Sequence, residues 1–178
     1  MGKQGAIVDD RFNSGGQAAD YIISYLQRTL LNFWYTPSGA ASPEPGEAIF
    51  GPKTMLINQY AGSGGDLIPW YFHHVGLGPL IGERTWGGEV GITGYPPLID
   101  GGGVTAPSLA FFTIDGHWAI ENEGVPPDIE VEMDPKAWRA GHDPQLEKAV
   151  ETVLQGLQEH PVLKPQVPAF PDYYHGQK

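Results

Sequence analysis

The first half of the chain repeats one pattern, in which a short apolar run ends in a turn and an amphipathic segment follows. The apolar runs occupy residues 6–8, 55–57 and 80–82, and the segments 17–32 and 65–75 between them carry apolar residues at helical spacing. Strands that alternate with helices predict a parallel sheet, because parallel neighbours need crossover connections. We therefore expect an α/β fold.

The second half of the chain predicts shorter elements between glycines. One long helix is expected over residues 144–159, where apolar residues recur on one face. Residues 35–52 hold four prolines among glycines and serines, and this composition predicts a loop. The remaining short apolar pieces predict strands over 90–93, 97–99, 109–114, 118–122 and 129–131.

Composition limits the functions that the chain can serve. The 178 residues suffice for one domain, and the absence of cysteine excludes disulfides, thiolate metal sites and a cysteine nucleophile. A formal net charge of −11 opposes binding to phosphate backbones, so we expect no nucleic-acid partner. We find neither a membrane-spanning apolar window nor a signal peptide, and we expect a cytoplasmic protein without a membrane partner.

Three parts of the chain differ in composition. Residues 1–5 resemble a start added for expression, and residues 6–160 form the expected domain. Residues 161–178 form a proline-rich extension that we expect to run extended over a surface. The natural protein is then expected to be longer than this chain, so the missing signal peptide carries little weight.

Ser63 is the first candidate for a catalytic residue. It stands between Gly62 and Gly64, after the apolar run 55–57 and at the start of a predicted helix. Glycines permit a sharp turn and a close approach of substrate, and a helix N-terminus offers free N–H groups to an oxyanion. The segment resembles a nucleophile elbow, although Ala61 replaces the first glycine of the Gly-x-Ser-x-Gly pattern.

Two other interpretations of this segment stay open at this point. Serine is a leading N-cap residue, and the local pattern alone favours an ordinary helix cap at Ser63. The run from Gly62 to Gly65 could instead cradle a phosphate, but it lacks the Gly-Lys-Ser/Thr sequence and any nearby basic residue.

A set of motifs in one order identifies a family. The segment Val-Asp-Asp-Arg-Phe-Asn-Ser-Gly-Gly at 8–16 and the segment Tyr-Ala-Gly-Ser-Gly-Gly-Asp at 60–66 resemble the tricorn-type members of the tail-specific, or C-terminal processing, serine peptidases. Further similar segments lie at 77–78, 80–82, 84–88, 90–92, 98–101, 121–128 and 143–145. The similarity runs from about residue 6 to residue 158, and several motifs in order are more specific than any single one.

The resemblance implies a serine peptidase that hydrolyses peptide bonds through an acyl-enzyme, on a crotonase/ClpP-like α/β fold with a mixed sheet and crossover helices. It implies a tetrad of Ser, His, a second Ser and Glu, with the nucleophile on Ser63 and the carboxylate on Glu121. The oxyanion donors fall on Gly64 and Gly16, with Gly15 as the fallback if the first turn is shifted by one residue. It implies neither a cofactor nor a metal ion.

The local sequence does not separate Glu121 from Glu123 as the family's carboxylate. We expect Ile120 and Glu121 to belong to an alternating strand and Glu123 to lie in the following turn, exposed to solvent. In the family, this carboxylate orients the histidine through a short relay, as the third member of a catalytic triad does.

The general base is the largest departure from the family pattern. In the family, the histidine and the second serine precede the first glycine turn and are separated from it by a PDZ domain, so both are expected upstream of this chain. The six histidines present are expected to be surface or packing residues: His73, His74, His117, His142, His160 and His175. An isolated chain is then expected to be inactive or very weak. Its expected partners are peptide substrates, the upstream segment with its PDZ-like domain, and further copies of the full-length protein.

A second departure concerns substrate preference. In the tricorn-type members, an acidic residue after the first helix favours basic side chains, and the corresponding position here is Trp34. Because tryptophan carries no charge, an apolar or aromatic preference is the hypothesis for the specificity pocket. Packing or subunit contact by Phe33, Trp34 and Tyr35 is the alternative.

Three functions of other classes remain as alternatives. A self-contained serine esterase or hydrolase would need its own acid and base, for which the candidates are Asp100, Asp115, His117 and His142. A domain of the same fold could serve binding or assembly without catalysis. A metal site would rest on His73 with His74 or on His117 with Glu121, and no His-Glu-x-x-His pattern supports it.

Overall fold

The computed structural model of the protein describes residues 3–171 and residue 173. Its centre is a sheet of four parallel strands in the order β1 (Ala6–Asp9), β4 (Lys53–Ile57), β5 (Leu80–Gly82) and β8 (Ile129–Glu130). Two antiparallel hairpins lie outside this sheet: β2 (Asn32–Tyr35) with β3 (Ala41–Glu44), and β6 (Gly91–Gly94) with β7 (Thr105–Leu109). The helices are α1 (Ala19–Leu26), α2 (Gly64–His74), α3 (Pro135–Arg139) and α4 (Pro144–Glu159).

The predicted α/β fold with crossover helices is confirmed. The four-stranded sheet is parallel, as the alternation of strands and helices predicted, and the antiparallel pairs lie in the two separate hairpins. The three apolar runs of the first half form β1, β4 and β5, with α1 before β4 and α2 before β5. The strand predicted at 129–131 and the helix predicted at 144–159 are also present, as β8 and α4. No helix in the described part of the chain is long and apolar enough to cross a membrane.

Alternate residues of a strand point to opposite faces of the sheet, and helices cover both faces here. Met55, Ile57 and Leu80 pack with α1 and α2, whereas Leu56 and Ile81 pack with α4. All five side chains are fully buried. Each contributes roughly 1.5–3 kcal/mol through the burial of apolar surface. The fold is therefore three layers, and its continuous apolar strands are typical of parallel sheets.

Arg11 connects the turn after β1 to the start of α4. Its guanidinium contacts Asp9 at 2.7 Å and Asp143 at 2.9 Å, and it donates to the Gln145 side chain at 3.1 Å. Asp143 also accepts the Leu146 N–H at 3.0 Å and so caps α4. These charge-assisted bonds hold the residues that follow β1 in one position.

The predicted first helix is too long. α1 ends at Leu26, and residues 32–35 form β2, which pairs with β3 inside the segment that was predicted as a loop. Leu31 is exposed, so its helical spacing does not mark a buried face. The hairpin therefore replaces a helical turn that would have no core to pack against.

Several short elements of the second half also differ from the prediction. Residues 97–99 form no strand, and the strand expected over 109–114 instead covers Thr105–Leu109, as β7. The strand expected over 118–122 gives way to a turn at 121–123, where Ile120 and Asn122 have φ values of 74° and 63°. A strand cannot continue through such left-handed residues. The short helix α3 was not predicted.

Candidate active site

Two glycine-rich turns meet at one edge of the sheet. The first turn, residues 13–16, follows β1, and the second turn, residues 61–65, follows β4. Because β1 and β4 are parallel neighbours, both turns leave the sheet at the same end. Ligands of open α/β sheets bind outside the carboxyl ends of the strands, which is where these turns lie.

Ser63 holds a backbone conformation that residues other than glycine seldom adopt. Its φ and ψ are 54° and −120°, directly before α2 begins. An ordinary N-cap residue has extended φ and ψ, so capping alone does not account for this geometry. Strained backbone of this kind persists only where its surroundings enforce it, and it is concentrated at functional sites.

A buried carboxylate holds the Ser63 backbone in place. Asp66 is fully buried and accepts the Ser63 N–H at 2.9 Å and the N–H groups of Gly87 and Gly88 at 2.8 and 3.0 Å. The second turn is thereby fixed to the segment 84–90. The three backbone donors also satisfy the buried charge, which would otherwise be costly.

The two turns approach so closely that a side chain would not fit between them. A Cβ atom on Gly64 would lie 2.4 Å from the Gly16 carbonyl oxygen and 2.9 Å from the Gly16 nitrogen. A Cβ atom on Gly15 would lie 2.9 Å from Ser63 Cβ and 3.2 Å from Ser63 Oγ. The structure therefore brings together Ser63, Gly64 and Gly16, which the resemblance assigns to one site, with the fallback Gly15 beside them.

Gly15 and Gly16 differ in how their amides are used. Both have left-handed φ values, 118° and 133°, which favour glycine. The Gly15 N–H donates to Asn13 Oδ1 at 3.0 Å, whereas the hydrogen bonds among residues 3–171 include none from the Gly16 N–H. A free amide beside a helix N-terminus is suited to an oxyanion, so Gly16 rather than the fallback Gly15 stays the predicted donor.

Glu121 lies in a turn, and the expectation that it belongs to a strand was wrong. Its Oε2 atom accepts the N–H groups of Glu89 and Val90 at 2.8 and 2.7 Å, and its side chain is exposed. Within the described residues, the Glu123 carboxylate accepts no hydrogen bond. The two hydrogen bonds therefore distinguish Glu121 from Glu123, which the local sequence could not do.

A cavity of about 500 Å³ opens beside Ser63. Apolar side chains and the two turns share its lining, which includes Gly16, Ser63, Gly64, Leu67, Leu109 and Phe111. Two carboxylates, Asp20 and Glu89, also line it, and within residues 3–171 no lysine, arginine or histidine does. The volume is in the range of small-molecule and side-chain sites, and the charge inside it is negative.

Glu89 is a cavity residue that the sequence reasoning missed. Burial, and then the nearby charges of Asp66 and Glu121, raise the pKa of its carboxyl to about 7. Its Oε2 atom is buried and has no hydrogen-bond partner among the described residues. A perturbed acid in a cleft is a common mark of a functional site. The only clue in the sequence was a lone charge directly after Gly87 and Gly88.

The described histidines occupy surface and packing positions, as expected, and none of them lines the cavity. Three pair with carboxylates elsewhere: His73 with Asp128, His117 with Asp115, and His142 with Glu147. His74 stacks on Trp70, with ring centroids 4.6 Å apart, and His160 follows α4. The remaining one, His175, lies outside the described residues.

The geometry gives no support to a self-contained hydrolase or a metal site. His117 and Asp115 lie 3.1 Å apart, but both are exposed and neither lines the Ser63 cavity. Residues 3–171 and 173 contain no group of three His, Asp or Glu side chains that could hold a metal ion.

Trp34 lies away from this cavity. It stands on β2, the residue is 64% exposed, and it is not among the lining residues. Its role in a specificity pocket stays a prediction, and so does the alternative of a packing or subunit contact.

Comparison with known sequences agrees with this geometry. The profile of Peptidase family S41 matches residues 1–131. Tricorn protease of Thermoplasma acidophilum is 41% identical over 166 residues, which are 93% of this chain and 16% of the relative. Tricorn protease homolog 1 of Streptomyces coelicolor is 37% identical over 172 residues, which are 96% of this chain and 16% of the relative. The chain therefore spans about a sixth of the length of these curated relatives.

Comparison with solved structures gives the same result. The crystal structure of the tricorn protease superposes with a TM-score of 0.82 and 42% identity, covering 87% of this chain and 15% of that one. The photosystem II D1 C-terminal processing protease superposes with a TM-score of 0.53 and 27% identity, covering 74% of this chain and 35% of that one. The fold and the motif order thus agree with the profile match. This chain belongs to peptidase family S41.

Proposed function

We propose that this chain is the nucleophile-bearing part of a serine-type peptidase, in which Ser63 Oγ attacks the carbonyl carbon of a peptide bond. The observation that carries the proposal is the strained Ser63 backbone, with φ 54° and ψ −120°, at a cavity between two glycine-rich turns. A serine held in this way presents its hydroxyl to bound substrate at the N-terminus of a helix.

The proposed reaction has two halves. In the first, the Ser63 proton passes to a general base while the carbonyl oxygen becomes an oxyanion. The amides of Gly64 and Gly16 donate to that oxyanion, and the positive end of α2 adds to its stabilisation. The C–N bond then breaks, the leaving amine takes the proton from the base, and an acyl group remains on Ser63. Water, activated by the same base, hydrolyses this acyl-enzyme.

The general base in this proposal is a histidine of the upstream part of the same protein, with the second serine beside it. Glu121 orients that histidine through the relay. Two backbone N–H groups hold Glu121 Oε2, while the side chain remains exposed. One carboxylate oxygen is therefore fixed and the other is open to a segment that docks on this face. A PDZ-like domain and a homo-oligomer belong to the same proposal.

Labelling with a fluorophosphonate tests the proposed nucleophile. In the full-length protein we expect one rapid label on the peptide that contains Ser63, because the probe mimics the tetrahedral intermediate. The exposed helical serine Ser24 serves as the matched control and should stay unlabelled. The isolated chain of 178 residues should label slowly, because the proposed base belongs to the upstream part of the protein. A label on another serine, with Ser63 unmodified, contradicts the proposal.

The cavity predicts a substrate preference that differs from the one expected from Trp34. Asp20 and Glu89 place negative charge beside Ser63, so a cationic side chain is favoured there once Glu89 has lost its proton. Because the pKa of Glu89 is about 7, the preference for lysine or arginine over leucine should be weak at pH 6 and strong at pH 8. Peptides that differ only at this residue, given to the full-length protein, measure it through kcat/KM.

The substitution Glu89→Gln removes the charge and keeps the shape. We expect it to lower kcat/KM for lysine peptides about tenfold at pH 8, as the loss of one partly screened ion pair does. The preference for lysine over leucine should then no longer change between pH 6 and pH 8. Glu132→Gln, on the exposed segment after β8, is the matched control. An unchanged preference for lysine in Glu89→Gln contradicts this prediction. A preference for leucine in the wild type at both pH values contradicts it too, and supports the apolar alternative.

A further inference from the structure

Asn13, in the first turn, uses every polar group that it carries. Its N–H donates to the Asp10 carbonyl at 3.2 Å, and its Nδ2 donates to Asp10 Oδ1 at 2.9 Å. Its carbonyl accepts the Gly62 N–H at 2.9 Å, and its Oδ1 accepts the Gly15 N–H at 3.0 Å. A single residue therefore connects the end of β1, the first turn and the second turn.

The backbone of Asn13 lies directly against the segment that carries the nucleophile. Besides the bond to Gly62, its carbonyl oxygen would lie 2.2 Å from a Cβ atom on Gly65. Gly62 and Gly65 flank Ser63 and Gly64 in the chain, so the Asn13 carbonyl touches both ends of the short stretch that attacks and binds the substrate carbonyl. Any shift of Asn13 must move that stretch or break the bond to Gly62.

The side chain of Asn13 fixes the first turn from the other side. With the Gly15 N–H donated to Asn13, the neighbouring Gly16 amide is left free beside Gly64. The amide group of Asn13 is held in turn by Asp10, which is 5% exposed. Only a side chain with both an acceptor and a donor can bond Gly15 and an ionised Asp10 together, and asparagine has both.

We propose that Asn13 is a positioning residue that sets the Gly16 amide relative to Ser63 and the Gly64 amide, through its bonds to Gly15 and Gly62. The inference rests on the proposed function, because the oxyanion hole is part of that proposal. Asn13 is not among the residues that line the cavity, so it is placed to act on the oxyanion through Gly15 and Gly62 and not by direct contact. Its effect is therefore on the geometry in which the oxyanion is stabilised, and that effect appears in kcat rather than in KM.

The substitution Asn13→Ala measures the effect of the side chain. In the full-length protein we expect kcat to fall about 100-fold, as for a displaced oxyanion donor, while KM stays within about twofold. Labelling of Ser63 by the fluorophosphonate should slow to a similar extent. Asn32→Ala, an exposed asparagine at the start of β2, is the matched control.

An exchange of the two side chains separates positioning from general stability. Asn13→Asp alone keeps the acceptor for Gly15 but places a second carboxyl against Asp10. The double variant Asp10→Asn with Asn13→Asp restores one donor and one acceptor. The side chain of residue 10 now donates, and the carboxylate of residue 13 accepts from it and from the Gly15 N–H. We expect kcat to recover to within about tenfold of the wild type in this exchange variant, because the same contacts are made.

The pH profile gives a second readout that a merely structural role would not move. Burial raises the pKa of Asp10 to about 7; Asp9 and Asp66 add to this, and the Asn13 hydrogen bond opposes it. In Asn13→Asp the two carboxyls can share one proton at low pH, but they repel each other once that proton is lost. The kcat of Asn13→Asp should therefore fall as pH rises through this range, whereas the exchange variant should show no such fall.

The outcomes are distinct from those that test the proposed function. If the kcat of Asn13→Ala equals that of the control Asn32→Ala, Asn13 is not a positioning residue, even if Ser63 takes the label. If Asn13→Ala fails to fold, the exchange variant decides: recovered kcat supports the inference, and a folded but slow exchange variant overturns it. If Ser63 takes no label in the wild type, the proposed function itself is wrong.

Discussion

Replacing Ser63 by alanine is expected to lower kcat of the full-length protein by about 10⁴- to 10⁶-fold, with little change in KM. Loss of a serine nucleophile removes the covalent route altogether, and what remains is binding and oxyanion stabilisation. The cavity beside Ser63 keeps its other lining residues in this variant, so substrate binding should persist. Single-turnover cleavage of a peptide substrate measures the residual rate.

The same substitution separates catalysis from helix capping. If Ser63 were only the N-cap of α2, Ser63→Ala would cost about 1 kcal/mol of stability and leave the activity of the folded protein intact. The N–H of residue 63, which Asp66 accepts, is retained in the variant. We therefore expect a small shift in Tm together with an almost complete loss of kcat.

Ser24→Ala, on the exposed face of α1, is the matched control for this experiment, since it removes one hydroxyl from the same kind of residue. It should change neither Tm nor kcat by a measurable amount. A Ser63→Ala protein that turns over peptides within tenfold of the wild type would show that this chain serves binding or assembly on a peptidase fold, which is the rival class that the sequence left open.

Local patterns predicted the parts of the fold and site that depend on neighbours in the chain. The runs at 55–57 and 80–82 are buried on both faces, so their unbroken apolar character predicted β4 and β5. The helix at 144–159 has a regular apolar face and an aspartate cap, so both its period and its start were visible. The glycines on both sides of Ser63 indicated a tight turn, but the local pattern alone favoured a helix cap there, and only the family resemblance made Ser63 the predicted nucleophile.

Contacts between distant segments could not be predicted in the same way. Asp66 holds Gly87 and Gly88, which follow it by about twenty residues, and no pattern indicated that its carboxylate would face inward. The strand expected at Glu121 failed because Ile120 and Asn122 adopt left-handed φ without being glycine. Such positions are set by tertiary structure, against local preference.

Substituting Gly64 by alanine is expected to lower kcat by about 10²- to 10³-fold, because the N–H of residue 64 is kept but displaced from the oxyanion. The new methyl group would lie 2.4 Å from the Gly16 carbonyl oxygen and 2.9 Å from its nitrogen, so the two turns must separate. The φ of Gly64 lies outside the left-handed region, so the collision and not backbone strain causes the effect. The measurements are kcat and the rate at which a fluorophosphonate labels Ser63.

Two other glycines make the comparison decisive. Gly103→Ala adds a methyl group with nothing within 4 Å and no left-handed φ, so it should leave kcat unchanged. Gly16→Ala also meets no atom within 4 Å, but its φ of 133° imposes strain, and we expect a loss of stability of about 1–3 kcal/mol there. Loss of kcat in Gly64→Ala, measured on folded protein well below its Tm and absent in Gly103→Ala, would place the defect in the oxyanion hole. Equal kcat in Gly64→Ala and Gly103→Ala would instead show that the close approach of the two turns serves packing alone, and that the oxyanion donors lie elsewhere.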